Sequence, residues 1–175
     1  MTGEAVTHGP RTTVSRVQFQ QVFRQVPGPV AIVLAPTPAG TVSGITCTSA
    51  TSLSADPPMA VFSVDVKTRF ADTVRAAGRF SINFLAADRA EWARAFSRGG
   101  ASLAALAHAV GAGRSAVPTL SSGTCAVLEC RLADIAPGGD HCTVTGEIVH
   151  ARFQSDVPAL LYAAGRYGSF TPADR

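Results

Sequence analysis

The sequence predicts a mainly β protein, a β-barrel with helical insertions, on three observations. Short apolar or alternating runs recur between turns rich in proline and glycine, a pattern typical of strands joined by hairpins. Helical patterns are few, so the strands do not alternate with helices as they do in a parallel α/β sheet. The chain also lacks the G-x-G-x-x-G sequence of a Rossmann domain.

The elements follow from local patterns in chain order. Proline and glycine bound most of the strands, and Gly78 and Asp88 are expected to end one helix and cap the next. The Asp56-Pro57-Pro58 sequence ends a strand because two prolines remove consecutive ladder donors. In order, we predict helix 17–26, strands 30–34, 41–53 and 61–66, helix Phe70–Ala77, strand Arg79–Leu85, a helix carrying Trp92 and Phe96, a loop excursion over 101–118 around a helical LAALAHAV run, and strands 125–135, 142–153 and 160–167, with a turn at Pro137-Gly138-Gly139.

The length and composition predict one domain that forms an oligomer. The chain has 175 residues, and we expect a disordered N-terminal tail over residues 1–16 and a single domain over residues 17–175. Charged residues make up 15% of the chain and hydrophobic residues 46%, whereas an average soluble domain has about 25% charged residues. A shortage of surface charge favours a homodimer.

Charge and cysteine usage exclude several classes of protein. The net charge is only +3 and the arginines are spread along the chain, so nucleic-acid binding is not expected. We expect no membrane partner and a cytoplasmic location, because no apolar run reaches about 18 residues and the N-terminus does not resemble a signal peptide. The four cysteines have no ligand spacing, so we expect free thiols and no metal. Three should be core residues, whereas Cys47 is a candidate reactive thiol.

The run from Thr46 to Ser52 is the most informative part of the sequence. Every side chain in it is small, and all but Ala50 carry a hydroxyl or a thiol. A flat polar ligand could lie against such a strand, because the backbone and its donors are accessible. The alternative is an ordinary edge strand rich in serine and threonine.

Two further sequences are candidate sites. Lys67-Thr68-Arg69 precedes a predicted helix, where two cations and a hydroxyl favour an anion, although they are equally consistent with solvated surface charges. In Gly139-Asp140-His141, Asp140 could orient an imidazole that titrates or donates near neutral pH. The alternative is a structural histidine at the start of a strand.

Over residues 23–167 these landmarks resemble the flavin reductase family with the FMN-binding split-barrel fold, a Greek-key type of barrel. Its members are the small NAD(P)H-dependent partners of two-component flavin monooxygenases. The residues that carry the resemblance are Val30-Ala31-Ile32-Val33, Gly44-Ile45-Thr46-Cys47-Thr48-Ser49, Ser54-Ala55-Asp56-Pro57-Pro58, the sequence from Gly78 to Leu85, Gly139-Asp140-His141 and Gly165-Arg166-Tyr167.

The resemblance implies a flavin site and a nicotinamide site. His141 would act beside the flavin as the catalytic residue, where it binds NADH or NADPH or stabilises charge, with Arg166 and Tyr167 also contacting the nicotinamide. Hydride transfer itself is the chemistry of the two cofactors. The flavin would be FMN, with FAD possible, and Lys67, Thr68 and Arg69 would hold its phosphate. The flavin-binding residues implied are Thr46, Cys47, Thr48, Ser49, Ala50, Ser63, Val64, Asp65, Lys67, Thr68 and Arg69.

The chain departs from the family pattern at three places. Ala50 stands where an aromatic residue is common, and Gly28-Pro29 replaces a Thr-Gly sequence. Both leave the choice between FMN and FAD open. Phe70 stands where a threonine often helps to bind the phosphate, which would shift that role onto Lys67, Thr68 and Arg69.

Three functions are consistent with the sequence. The first is an NAD(P)H:flavin oxidoreductase that supplies reduced flavin to a separate monooxygenase. The second is a flavin-binding electron-transfer or storage protein without a nicotinamide site, and the third is a flavin-free split-barrel subunit or ligand-binding module. The sequence assigns no role to residues 97–120.

Overall fold

The computed structural model describes residues 14–97 and 107–173. They form three α-helices and twelve β-strands, which confirms the predicted mainly β fold with helical insertions. The helices are α1 (Arg16–Gln25), α2 (Phe70–Ala77) and α3 (Ala90–Ser97). The strands are β1 (Gly28–Pro29), β2 (Ala31–Pro36), β3 (Val42–Cys47), β4 (Thr51–Ala55), β5 (Pro58–Asp65), β6 (Arg79–Leu85), β7 (Val110–Ala112), β8 (Pro118–Leu120), β9 (Thr124–Gly138), β10 (His141–Phe153), β11 (Leu160–Ala163) and β12 (Arg166–Ser169).

One seven-stranded antiparallel sheet has the strand order β3-β2-β6-β9-β10-β5-β4. Its two edge strands, β3 and β4, are consecutive in the chain and are separated only by residues 48–50. Four Cα steps span at most about 15 Å, so the sheet has to curve until its edges approach each other. The edges do not pair, which leaves an open barrel with a seam between β3 and β4.

Two cores lie on opposite faces of β2. Ala31, Val33 and Ala35 point into the first core, which fills the curved sheet and is closed by α2. Ile32 and Leu34 point into the second core, beneath α3, β8 and β11. Both faces of β2 are therefore covered, which explains why its sequence is a continuous apolar run instead of an alternating one.

Two predicted elements match the structure residue for residue. Helix α2 covers Phe70–Ala77 and ends at Gly78, whose φ of 64° is the left-handed conformation expected of a glycine after a helix. Strand β6 covers Arg79–Leu85. In both cases the signals that bound the element are local.

The prediction of one strand over residues 41–53 is wrong. The chain forms β3, leaves the sheet over residues 48–50, and re-enters it as β4 on the opposite edge. Strand β3 pairs with β2 whereas β4 pairs with β5. Threonine and serine favour extended backbone throughout this run, so nothing local indicates the change of partner.

Two turns also differ from the prediction. The predicted strand over residues 160–167 is a hairpin, because Ala164 and Gly165 both adopt positive φ, 50° and 77°, and reverse the chain between β11 and β12. The turn after β9 lies at Gly139 and Asp140, and Pro137 remains within the strand. Pro137 is tolerated there because this end of β9 pairs with β10 alone.

The helix starts need correction as well. Ser15 and Arg16, predicted as tail, begin α1, where Ser15 forms a capping box with Gln18. Residues 1–13 of the predicted tail lie outside the described part of the chain. Asp88 does not cap α3, because the carbonyl of Arg89 accepts the first helical hydrogen bonds, from the amides of Trp92 and Ala93.

The predicted excursion over residues 101–118 contains a hairpin where it is described. Strands β7 and β8 pair with each other in a separate two-stranded sheet. Half of the predicted LAALAHAV helix, residues 103–106, lies outside the described residues, whereas Ala107–Ala109 form a single 3₁₀ turn and Val110 begins β7, so the described half is not an α-helix. No helix in the described ranges has the length and apolarity needed to cross a bilayer.

Candidate functional site

A cavity of about 560 Å³ opens at the seam of the barrel. Strand β3 and the connection to β4 form one wall, the end of β5 and the start of α2 form a second, and the last turn of α3 covers one side. The lining residues are Ser43, Gly44, Ile45, Thr46, Cys47, Thr48, Ser49, Ser63, Val64, Asp65, Thr68, Phe70, Phe96, Ser97 and His141. The break between β3 and β4 therefore brings three separate candidate sequences to one place.

Helix α3 packs closely against β3. The Thr46 hydroxyl donates a hydrogen bond of 3.0 Å to the Ala93 carbonyl in the middle of the helix. A Cβ atom on Gly44 would lie 2.8 Å from the Phe96 ring and 2.6 Å from Leu34 Cδ2, so only glycine allows this close approach. The Thr46 hydroxyl is thus engaged within the protein, and Phe96 becomes a wall of the cavity.

The serine after β3 links the connection between β3 and β4 to the end of β5. Ser49 Oγ accepts a hydrogen bond of 2.9 Å from the Ser63 amide and donates one of 3.2 Å to the Ser63 carbonyl. Ser63 lies on β5, so this pair replaces the ladder that β3 and β5 do not form. The hydroxyl-rich run therefore stabilises the mouth of the cavity as well as lining it.

The chain between β5 and α2 forms a compact turn. Asp65 Oδ1 accepts from the Lys67 amide at 2.8 Å, and the Thr68 hydroxyl donates to the Asp65 carbonyl at 2.8 Å. Arg69 has a φ of 56° and lies 3.6 Å from Asp72 in an exposed ion pair. Lys67 and Arg69 are exposed beside the cavity and do not line it, whereas Thr68 does.

His141 reaches the cavity because β10 begins opposite the end of β5. Across the two strands it pairs with Asp65, the first residue of the turn that carries Lys67. Its Nδ1 lies 2.7 Å from Asp140 Oδ1, and the histidine side chain is 45% exposed. This hydrogen bond, followed by the charge of the imidazole, lowers the pKa of Asp140. The carboxylate therefore orients the ring, as the sequence indicated.

Cys47 lines the cavity but is not activated. Burial raises the pKa of its thiol to about 11, although hydrogen bonds from Ser49 and Ala50 oppose that change. A thiol with this pKa stays protonated at neutral pH, so the candidate reactive role is not supported. Among the described residues, no group of three or more histidine, cysteine or acidic side chains could hold a metal ion.

Three predicted site residues lie away from the cavity. Ala50 is 1% exposed and belongs to the first core. Tyr167 packs against Tyr162 at 5.2 Å between ring centroids, with Arg94 over its ring at 5.0 Å. Arg166 precedes it on β12, in the three-stranded sheet. Neither residue of that pair lines the seam cavity.

Sequence reasoning missed Phe96 and Ser97. The Trp92 and Phe96 spacing indicated a core stripe, which Phe96 confirms with 7% exposure in the second core. Its second role depends on where α3 lies relative to β3, and no local pattern specifies that arrangement. The weak signal was Gly44, a small residue in a strand, which often marks a close approach.

The chain is similar to known proteins over nearly its whole length. A flavin reductase of Pseudomonas putida is 29% identical over 161 residues, which cover 91% of this chain and 93% of that protein. The reductase component of 4-nitrophenol 4-monooxygenase/4-nitrocatechol 2-monooxygenase from Rhodococcus opacus is 32% identical over 162 residues, 91% of this chain and 83% of that protein.

A solved structure and a family model agree with these relatives. The NADH:FAD oxidoreductase of Streptomyces globisporus C-1027, solved in complex with NAD and FAD fragments, is 28% identical with a TM-score of 0.80, over 90% of this chain and 93% of that one. The model of the flavin reductase like domain matches residues 23–171. The chain therefore belongs to the flavin reductase family and has its split-barrel fold.

Proposed function

We propose that the seam cavity binds flavin and that the protein is an NAD(P)H-dependent flavin reductase which supplies reduced flavin to a separate monooxygenase. The observation that carries this proposal is the convergence of the hydroxyl-rich connection, the Lys67-Thr68-Arg69 turn and His141 on one cavity. Its similarity to a flavin reductase and to the reductase component of a monooxygenase supports the same reaction.

The residues present fit a flavin. A cavity of about 560 Å³ has the size of a typical small-molecule site, about 300–1,000 Å³. Small side chains from Thr46 to Ser49 leave the backbone at the end of β3 and in its connection accessible to a flat ring, and Ile45 and Phe96 supply apolar contacts. The chemistry of the lining therefore suits an isoalloxazine with a polar tail.

The phosphate of the flavin is assigned to the turn before α2. Lys67 and Arg69 supply positive charge at the edge of the cavity, and Thr68 lines it. An arginine or lysine in contact with a phosphate forms a charge-assisted hydrogen bond, which is stronger than a neutral one. Arg69 pairs with Asp72 and the Thr68 hydroxyl donates to the Asp65 carbonyl, so Lys67 is the more available partner.

His141 is the residue assigned to nicotinamide. If Nδ1 carries the proton that bonds to Asp140, Nε2 remains available for the second substrate. When bound, the flavin and nicotinamide supply the hydride transfer, and the protein orients the two rings and excludes water. Because Arg166 and Tyr167 lie outside the cavity, the nicotinamide proposal rests on His141.

The protein is also proposed to form a homodimer through α1 and its surroundings. Val17, Phe19, Val22, Phe23 and Val26 are each 55–61% exposed, and α1 has no buried residue. A ten-residue helix is marginal without packing. A second copy that covers this apolar face would supply the missing packing. Light scattering across a dilution series tests this, and a monomeric mass throughout would exclude it.

One assay separates the three candidate functions. The purified protein is given FMN or FAD with NADH or NADPH in all four combinations, and nicotinamide oxidation is followed at steady state. Turnover with free flavin supports the reductase. A bound yellow chromophore without nicotinamide oxidation would indicate an electron-transfer or storage protein, and neither signal would indicate a flavin-free module.

A further inference from the structure

A second cavity, of about 400 Å³, lies under the β7–β8 hairpin. One side is the hairpin, including Arg114 in its connecting turn and Thr119 on β8. The other side is the far part of β9 and β10, where His150 is opposite Glu129 and Arg152 is opposite Val127. His141 and His150 are nine residues apart on β10, or roughly 30 Å at the rise of a strand. This cavity is therefore separate from the seam.

The hairpin is held in place by polar side chains from the sheet. The Ser81 hydroxyl donates to the Pro118 carbonyl at 2.6 Å, and Asn83 Oδ1 accepts from the Leu120 amide at 2.8 Å. Both side chains are fully buried. Arg152 also donates to the Leu120 carbonyl. The roof of the cavity is thus fixed by specific hydrogen bonds and is not a loose surface loop.

Glu129 fixes the turn of the same hairpin. Its carboxylate accepts from the Arg114 amide at 3.0 Å, from the Ser115 amide at 2.7 Å and from the Ser115 hydroxyl at 2.5 Å. Burial alone would raise the pKa of Glu129, but these hydrogen bonds and the charge of His150 outweigh it and lower the pKa. The residue is 7% exposed. Its negative charge is therefore permanent near neutral pH and largely committed to the turn.

The remaining groups favour an anion. Arg114 and Arg152 each carry a positive charge, and His150 adds a third when protonated, against the single carboxylate of Glu129. Thr119 on β8 is 5% exposed and also lines the cavity. Guanidinium groups bind phosphate in a bidentate manner, and a hydroxyl completes such a site.

We propose that this second cavity binds a small phosphate-bearing molecule, through Arg114, Arg152 and His150. The cavity volume is within the range of small-molecule sites. The site is distinct from the seam cavity, because it lies at the other end of β10 from His141. Its existence would also give a role to the chain excursion after α3.

The test is isothermal titration calorimetry with inorganic pyrophosphate on the full-length protein. The Lys67→Ala/Arg69→Ala variant removes the cations beside the seam, so pyrophosphate binding that persists in it belongs elsewhere. We expect pyrophosphate binding to persist in that double variant with one site per chain. Arg114→Ala should weaken the binding at least about 10-fold, the effect of one charge-assisted hydrogen bond.

Matched controls keep the result interpretable. Arg75→Ala removes an exposed arginine from α2 and should leave the pyrophosphate affinity unchanged. Arg114 donates to Glu129 only through its backbone, so Arg114→Ala should fold. If its melting temperature is lowered, His150→Ala replaces it and should weaken binding in the same way.

Four results would overturn the proposal. Absence of pyrophosphate binding would do so, as would an unchanged affinity in both Arg114→Ala and His150→Ala. Loss of binding in Lys67→Ala/Arg69→Ala with retention in Arg114→Ala would assign the anion to the seam. Acetate binding as tightly as pyrophosphate at matched ionic strength would contradict the phosphate assignment.

Discussion

The two cavities use the same pair of groups in opposite ways. Each is lined by a histidine of β10 that lies beside a carboxylate, namely His141 beside Asp140 and His150 opposite Glu129. At the seam the carboxylate is 78% exposed and bonds to the imidazole. Under the hairpin the carboxylate is buried and bonds to backbone amides and a hydroxyl.

This difference shows that burial determines the role of a carboxylate. An exposed carboxylate is well hydrated, so its bond to a histidine costs little and mainly orients the ring. A buried carboxylate has lost that hydration and has to be compensated by several donors, so it becomes part of the structure. Asp140 should therefore affect function, and Glu129 should affect stability.

The largest expected effect tests the structural half of this comparison. Replacing Glu129 with Ala removes the acceptor of three hydrogen bonds, two of them from the partly buried amides of Arg114 and Ser115. We expect the free energy of unfolding to fall by about 2–3 kcal/mol, measured by urea denaturation. Asp140→Ala is the matched control and should leave the denaturation midpoint nearly unchanged. Equal effects of the two substitutions would contradict the comparison.

The pH dependence of Glu129 has a definite sign. Its pKa is lowered in the folded protein from an ordinary value of 4.5, so its contribution is complete above that pH and is lost as the pH falls through the lower folded value. The stability difference between the wild type and Glu129→Gln should therefore be constant near neutral pH and shrink below about pH 4.5. A difference that grows on acidification would refute the assignment.

How far the sequence predicts the molecule depends on whether the signal is local. Helix α2 ends at Gly78, and strand β6 follows an alternating sequence pattern from Arg79 to Leu85. Both elements are predicted fully. The seam is not, because the exchange of partners between β3 and β4 depends on strands far away in the chain. The hydroxyl-rich run identified the place correctly but not the break in the strand.

The candidate site shows the same limit. Thr46, Thr48, Ser49, Thr68 and His141 meet at one cavity, as the resemblance to flavin reductases indicated. Arg166 and Tyr167 do not, and Phe96 was missed, because both outcomes are set by the packing of α3 and the β11–β12 hairpin. The hydrogen bonds that Glu129 accepts from the turn between β7 and β8 were also missed, because Arg114 and Ser115 are polar loop residues with no motif.

The next effect concerns the phosphate at the seam. Lys67→Ala/Arg69→Ala should weaken FMN binding by about 10-fold or more. Each side chain can contribute a charge-assisted hydrogen bond, whose energy is reduced here by exposure to solvent. Riboflavin has no phosphate and should bind to the variant as it does to the wild type. Fluorescence quenching measures both affinities. Equal losses of affinity for FMN and riboflavin would show that this turn does not bind the phosphate.

The functional half of the comparison predicts a smaller, kinetic effect at His141. His141→Ala should raise the KM for NADH or lower kcat several-fold, while the flavin affinity and the melting temperature stay close to those of the wild type. Asp140→Asn should shift the same kinetic parameter less, because the ring remains and only its orientation is lost. A variant with lower thermal stability and normal kinetics would show that His141 is structural instead.

The smallest effect distinguishes a tether from a flavin contact at Thr46. Its hydroxyl donates to Ala93 on α3, so Thr46→Val should lower the free energy of unfolding by about 0.5–1.5 kcal/mol. Flavin affinity should fall only modestly, through a displaced Phe96, and Thr46→Ser should restore both properties because it keeps the donor. Urea denaturation and fluorescence quenching measure the two quantities. A large loss of flavin affinity in Thr46→Val at unchanged stability would instead mean that the hydroxyl binds the flavin directly and leaves Ala93 when flavin is bound.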